Sequence, residues 1–161
     1  TLNWWMQTPM QEKNKENQVA ASTIYYKNMD ESVDKISESS EDKLDLNNKL
    51  KWVGLKQQFF TSIIIAKDTF GSGSNIETKT LTDSNHVKDF AASLSIPFTH
   101  KPSESFDMQL YFGPNHFKTL KSYDLDLDKQ INLGWKLFGW INRLLTIPIF
   151  NFLNSFNLNF G

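Results

Sequence analysis

The chain has 161 residues, enough for one domain with a sizeable core. Its 17 Lys plus Arg against 18 Asp plus Glu leave a formal net charge of -1, which provides no field to gather phosphates and excludes nucleic acid as a partner. With 0 Cys there is no disulfide or thiolate zinc site, while 13 Phe and 5 Trp suit a β-rich core or an interface.

Thr1 begins the chain without an initiator Met or a charged-then-apolar signal pattern, which reads as a piece of something longer. "STIYYK" is rich in strand formers. Between Met29 and Asn48, "MDESVDKISESSEDKLDLNN" is acidic, Ser-rich and poor in large apolar groups, so it reads as a solvated segment. It lacks the glycine and ligand spacing of an EF-hand calcium loop. Trp52 to Ala66, "WVGLKQQFFTSIIIA", is too long for one strand and predicts a bend or two strands, with Val53, Leu55, Phe59, Ile63 and Ile65 on one side. "FGSGSN" at 70–75 is a turn. "SLSIPF" alternates through Leu94, Ile96 and Phe98, although Pro97 demotes it to an edge. In "FDMQLYFGP" the residues Phe106, Met108, Leu110 and Phe112 point one way and Asp107, Gln109 and Tyr111 the other, the mark of a half-buried strand.

From Gly113 the period lengthens to three or four. "GPNHFKTLKSYD" predicts a short helix starting at Pro114 or Asn115, with Phe117, Leu120 and Tyr123 on its buried side. A second is expected from Asp126, whose carboxylate would cap the free amides, carrying Leu127, Ile131 and Leu133. Gly134 to Phe156 then gathers Phe138, Ile141, Leu145, Ile149, Phe152 and Phe156 in one band, with Lys136, Arg143, Asn151 and Asn154 opposite. Trp140 and Ile147 fall among the polar residues, and Pro148 predicts a kink near Leu144 to Pro148. Two charges and several Asn make it a poor membrane span. A helix lying at the bilayer interface fits, and a long core helix is the competing reading.

No spaced catalytic set is present. His86, His100 and His116 do not fall at metal-ligand spacing, and no phosphate-loop, dinucleotide, nucleophile-elbow or zincin motif occurs. No catalytic, cofactor or metal residue is therefore assigned. Trp4 and Trp5 could stack on a sugar, although paired tryptophans more often belong to a strand core.

Four segments, "KWVGLKQQFF" at 51–60, "YFGPNHFKTL" at 111–120, "LDLDKQINLGW" at 125–135 and "PIFNFLNSFNLNFG" at 148–161, resemble in sequence and in order the periplasmic region of YidC-type membrane protein insertases. "TPMQEK" at 8–13 and "TIYYK" at 23–27 resemble one branch of that family. Gly54 stands where Ala is usual, and Asn159-Phe160-Gly161 replaces a more common Asn-Trp-Gly or Asn-Tyr-Gly.

The resemblance implies a mainly β chain: a β-sandwich of the galactose-mutarotase-like supersandwich kind, built from more residues than precede Gly113 here and so expected to be incomplete, followed by C-terminal α-helices. It divides the chain into a sandwich portion at 1–114, short helices at 115–133 and an amphipathic interfacial helix at 134–161 that leads to a transmembrane span outside this chain. Trp135, Phe138, Ile141, Leu145, Ile149, Phe152, Phe156, Lys136 and Arg143 would then meet the membrane interface or a partner. The implied role is non-catalytic and needs no cofactor: assisting insertion and folding of inner-membrane proteins at the periplasmic face of the inner membrane, alone or with the Sec translocon. The implied partners are the lipid surface, nascent membrane proteins and translocon components. The family's insertion groove and its arginine lie beyond Gly161, so Arg143 is not that residue. Two alternatives belong to other classes. One is a carbohydrate-binding or carbohydrate-modifying sandwich, since fold does not settle function; the other is an envelope structural protein whose last helix is an anchor.

Overall fold

A computed structural model of the chain describes residues 1–36, 41–83, 85–131, 144 and 146–154. The chain divides into two units, Thr1–Gln130 and Ile131–Gly161.

Among the described residues the first unit is mainly β. Its strands are β1 (Leu2–Pro9), β2 (Thr23–Asn28), β3 (Val33–Lys35), β4 (Glu41–Leu46), β5 (Leu50–Lys56), β6 (Phe60–Phe70), β7 (Ser74–Thr80), β8 (His86–Leu94) and β9 (Met108–Pro114). A four-stranded sheet runs β1-β8-β7-β4 and a five-stranded sheet runs β3-β2-β5-β6-β9, with every pairing antiparallel. Ile24 and Tyr26 of β2, Val53 and Leu55 of β5, and Ile64 and Ala66 of β6 share one apolar cluster with Ile76 of β7 and Phe90, Ala92 and Leu94 of β8. The core therefore draws on both sheets, each strand offering every second side chain.

Helix α1 (Lys15–Ala21) links β1 to β2. The Asn14 side chain accepts the Asn17 amide at 3.1 Å to cap it, and the buried Gln18 ties down the loop before it through the Gln11 and Glu12 amides and the Pro9 carbonyl. After β9 come helix α2 (Phe117–Lys121) and a 3-10 turn at Leu127–Gln130. Described residues of the second unit include one α-helix, Ile147–Asn154, with Pro148 in its first turn and π-helical residues at 144 and 146 just before it.

Several expectations are corrected by this arrangement. The acidic stretch 29–48 contains β3 and β4 and buries Ile36 and Leu46; alternation inside "EDKLDL" turns Leu44 and Leu46 inward while Glu41, Lys43 and Asp45 face water. Trp52 to Ala66 is two strands, as expected, but its residues do not all share one side. The hairpin register sets Val53 against Ile64 and Gly54 against Ile63, which sends Ile63 and Ile65 to the outer face with Trp52. "SLSIPF" holds only the end of β8, which stops at Leu94, and Phe98 is exposed. Asp126 does not cap free amides. Its φ is +61°, and its carboxylate pairs with Lys27 and Lys129.

Candidate interaction site

Parts of the motifs at 51–60 and 125–135 meet on the outer face of the five-stranded sheet. Trp52 is fully buried there, and its Nε1 donates to the Leu125 carbonyl at 2.8 Å. Leu120, Leu127 and Gln130, all fully buried, come from the segment that follows β9. The Thr61 hydroxyl donates to Gln130 Oε1 at 3.2 Å, and Gln130 Nε2 donates to the Leu127 carbonyl at 3.2 Å. Gly54 makes room for this amide, since a Cβ at 54 would lie 2.5 Å from Gln130 Oε1. Its departure from the usual Ala thus has a local reason.

At the edge of the covering segment, Lys27 Nζ meets the Asp126 carboxylate, which Lys129 also approaches at 3.2 Å. The hydrogen bond from Lys27, then that from Lys129, holds the Asp126 carboxyl below the usual carboxylate range. "YFGP" at the end of β9 is explained in the same way. The Tyr111 hydroxyl folds back to donate to the Pro114 carbonyl at 2.8 Å, and Gly113 is needed because a Cβ there would sit 2.8 Å from that hydroxyl. Asn115 then pins the β5–β6 turn through the Gln57 and Gln58 carbonyls at 2.9 and 3.0 Å. These residues build and close a layer of the fold, and the surface available to a partner lies elsewhere.

Two exposed apolar surfaces remain. The first is on β9. Register places Met108, Leu110 and Phe112 opposite Ala66, Ile64 and Ser62, on the face that carries the core, yet Leu110 is 52% and Phe112 65% exposed. The half-buried strand expected here therefore leaves its apolar side open. The reason is lateral offset: β1, the edge of the facing sheet, lies over β6, where the Ser62 hydroxyl donates to Met6 Sδ at 3.8 Å, and nothing described lies over β9. Phe59 and Phe60 extend the strip and are also exposed. Sequence reading missed Phe60 and the openness of this strip; the signal was a neutral alternating segment with no second apolar run assigned to cover it.

The second surface is the helix Ile147–Asn154, on which Ile149, Phe150 and Phe152 are exposed. Of the residues expected at a membrane interface, Ile149 and Phe152 fall here, 60° apart at 100° per residue. Trp135, Lys136, Phe138, Trp140, Ile141, Arg143, Leu145 and Phe156 lie outside the described residues, so that of the segment expected to kink near Leu144 to Pro148 only Leu145 is not described.

No catalytic geometry emerges among the described residues. His86 sits beside Asp83 at 3.3 Å on the surface, His100 stacks edge-on against Phe98, and His116 contacts the Thr119 hydroxyl at 2.8 Å. No three His, Cys, Asp or Glu side chains among the described residues are grouped to hold a metal ion, and no described helix is long and apolar enough to cross a membrane. Trp4 packs on the core, while Trp5 stands on the outer face of β1 opposite Ala91.

Comparison with known proteins decides the family. The model of the YidC periplasmic domain matches residues 4–150. The chain belongs to the YidC periplasmic domain family. A membrane protein insertase YidC from Azobacteroides pseudotrichonymphae is 38% identical over 100% of this chain and 28% of its own length. The proteins of that name from Parabacteroides distasonis and Phocaeicola vulgatus are 35% and 33% identical over 99% of the chain, and 26% and 27% of their own lengths. The chain thus spans about a quarter of the YidC relatives it matches. Within this family frame, the Trp52–Leu125 and Tyr111–Pro114 contacts assign the motifs that carry the resemblance to architecture.

Proposed function

We propose that this chain is part of the non-catalytic periplasmic domain of a membrane protein insertase, held at the periplasmic face of the bacterial inner membrane. There it assists insertion and folding of inner-membrane proteins, alone or alongside the Sec translocon, by moving a client between phases with no bond made or broken. The observation that carries this reading is similarity over essentially the whole chain to proteins named membrane protein insertase YidC. Two sheets around a common core support a sandwich of the galactose-mutarotase kind as the scaffold. In the proposed division of labour, residues 1–114 are that scaffold, 115–133 cover and leave it, and 134–161 form the membrane-facing element.

Exposure of Ile149, Phe150 and Phe152 supports the interfacial part of this reading. Each large apolar side chain transferred from water contributes about 1.5–3 kcal/mol, so a few suffice to hold a helix on a bilayer. Lys136 and Arg143 would keep their charges at headgroup level with their stems along the apolar surface.

Flotation with phosphatidylethanolamine–phosphatidylglycerol liposomes tests this. The wild-type chain is expected to float, and Ile149→Glu with Phe152→Glu to remain in the dense fraction with the unfolding midpoint of the β unit unchanged. In the full-length insertase the same double substitution is expected to lower insertion of inner-membrane proteins at equal membrane levels. A wild type that never floats, or a variant that floats and inserts normally, rejects the assignment.

A further inference from the structure

Charge is spread unevenly along this chain. Every Asp and Glu, and every Lys but one, precedes residue 131, whereas residues 144–161 include no Asp, Glu, Lys, Arg or His. The polar members of that run are Thr146, Ser155 and four Asn, set among Leu, Ile and four Phe. In the helix Ile147–Asn154, Ile149 and Leu153 stand about 40° apart at 100° per residue, and Asn151 lies opposite them. Asn151 is exposed. Leu144, Ile149, Phe150 and Phe152 are 52–64% exposed.

A helix reaches a bilayer surface by one of two routes. Cations on its polar face gather it at anionic headgroups before its apolar side chains enter, or, where the polar face has no cations, those side chains enter only at gaps that already expose acyl chains. With Asn and Thr where Lys and Arg would stand, residues 144–161 lack the means for the first route. Side chains as large as Phe150 and Phe152 suit the second, because each removes much apolar area from water once a gap admits it.

We propose that the helix Ile147–Asn154, with the uncharged run around it, selects a lipid surface by loose packing and not by charge. Its ligand is a bilayer whose headgroups are spread apart, by curvature or by small-headed lipids such as phosphatidylethanolamine. This rests on the interfacial reading above and adds to it which lipid surface is taken. Arg143 and Lys136 precede the run, so anionic lipid acts at their level and not along the helix. Binding to zwitterionic bilayers, where those two cations have no anionic partner in excess, therefore isolates the packing response.

Flotation of the chain with phosphatidylcholine vesicles of two sizes, and with large phosphatidylcholine–phosphatidylglycerol vesicles, tests the proposal. The wild type is expected to bind vesicles of about 30 nm at least about tenfold more tightly than vesicles of about 200 nm at equal lipid. Adding phosphatidylethanolamine to the large vesicles is expected to raise binding towards that of the small ones. Phe152→Ala is expected to weaken binding to small vesicles about tenfold with the unfolding midpoint of the β unit unchanged. Asn151→Lys opens the charge route, so a gain of about fivefold on large anionic vesicles is expected, lost again at high salt. Binding that is as tight on large anionic vesicles as on small zwitterionic ones, or that Phe152→Ala leaves unchanged on small vesicles, overturns the proposal while the interfacial reading stands. A wild type that floats with no vesicle overturns both.

Discussion

The centre and the edge of the five-stranded sheet are written in the same alternating code and meet opposite fates. On β5, Trp52 and Gly54 face outward and are covered by the segment ending at Gln130; on β9, Leu110 and Phe112 face inward and are left open. Facing the core side of a sheet is therefore no guarantee of burial. What decides is whether another layer reaches that far, and β1 stops above β6. The covered region is held by hydrophobic burial with directed hydrogen bonds. The open region presents apolar surface, and among the described residues no further strand pairs with its edge.

The comparison breaks if the two regions respond alike to truncation. Trp52→Ala removes a fully buried indole and the bond to Leu125, and a loss of about 3–5 kcal/mol in denaturant unfolding is expected. Phe112→Ala, at 65% exposure, is expected to change stability by about 0.5 kcal/mol or less. Equal losses at both positions would mean that β9 is covered after all.

A smaller effect sharpens how closely the covering segment fits. Gly54→Ala places a methyl against Gln130 Oε1 and displaces it from Thr61, so a loss of about 1–3 kcal/mol is expected. In a Gln130→Ala background the same change should cost much less, since the obstructing amide is gone. Costs that simply add would show that the two residues do not compete for one space.

The smallest effect concerns pH. Asp126 has its carboxyl lowered by Lys27 and Lys129, so the folded state favours the charged form. Its contribution is present above the unfolded value of about 3.9 and is lost as pH falls through the lower folded value. Between roughly pH 5 and 2, wild type should therefore lose stability more steeply than Asp126→Asn, with a modest difference because the pair is partly exposed and screened. Identical acid slopes would remove the ion pair from the account of how the segment is fastened.

Much of this was legible in the sequence because it is local. The strand formers of "STIYYK" and the alternation of "FDMQLYFGP" mark strands, the change of period after Gly113 marks the short helix α2, and the motifs at 51–60, 111–120 and 125–135 mark the family. For the candidate interaction site the helical wheel placed Ile149 and Phe152 on one side of a helix, since it needs only the order of residues. Chain order alone does not carry long-range register. Ile63 and Ile65 were grouped with Val53 and Leu55 because all are apolar at suitable spacings, but pairing across the hairpin sent them to the other face. The acidic stretch 29–48 reads as loop from composition and contains strands because β2 and β7 were there to pair with it. Sequence alone thus determined the mainly β class, the family and the sides on which neighbouring residues stand, because sterics and the period of two act within one strand. Tertiary structure alone decided which of those sides are covered, why residue 54 is Gly, and that Leu110 and Phe112 are open, because coverage depends on how far one sheet extends over the other, a distance set by packing between residues remote in the chain.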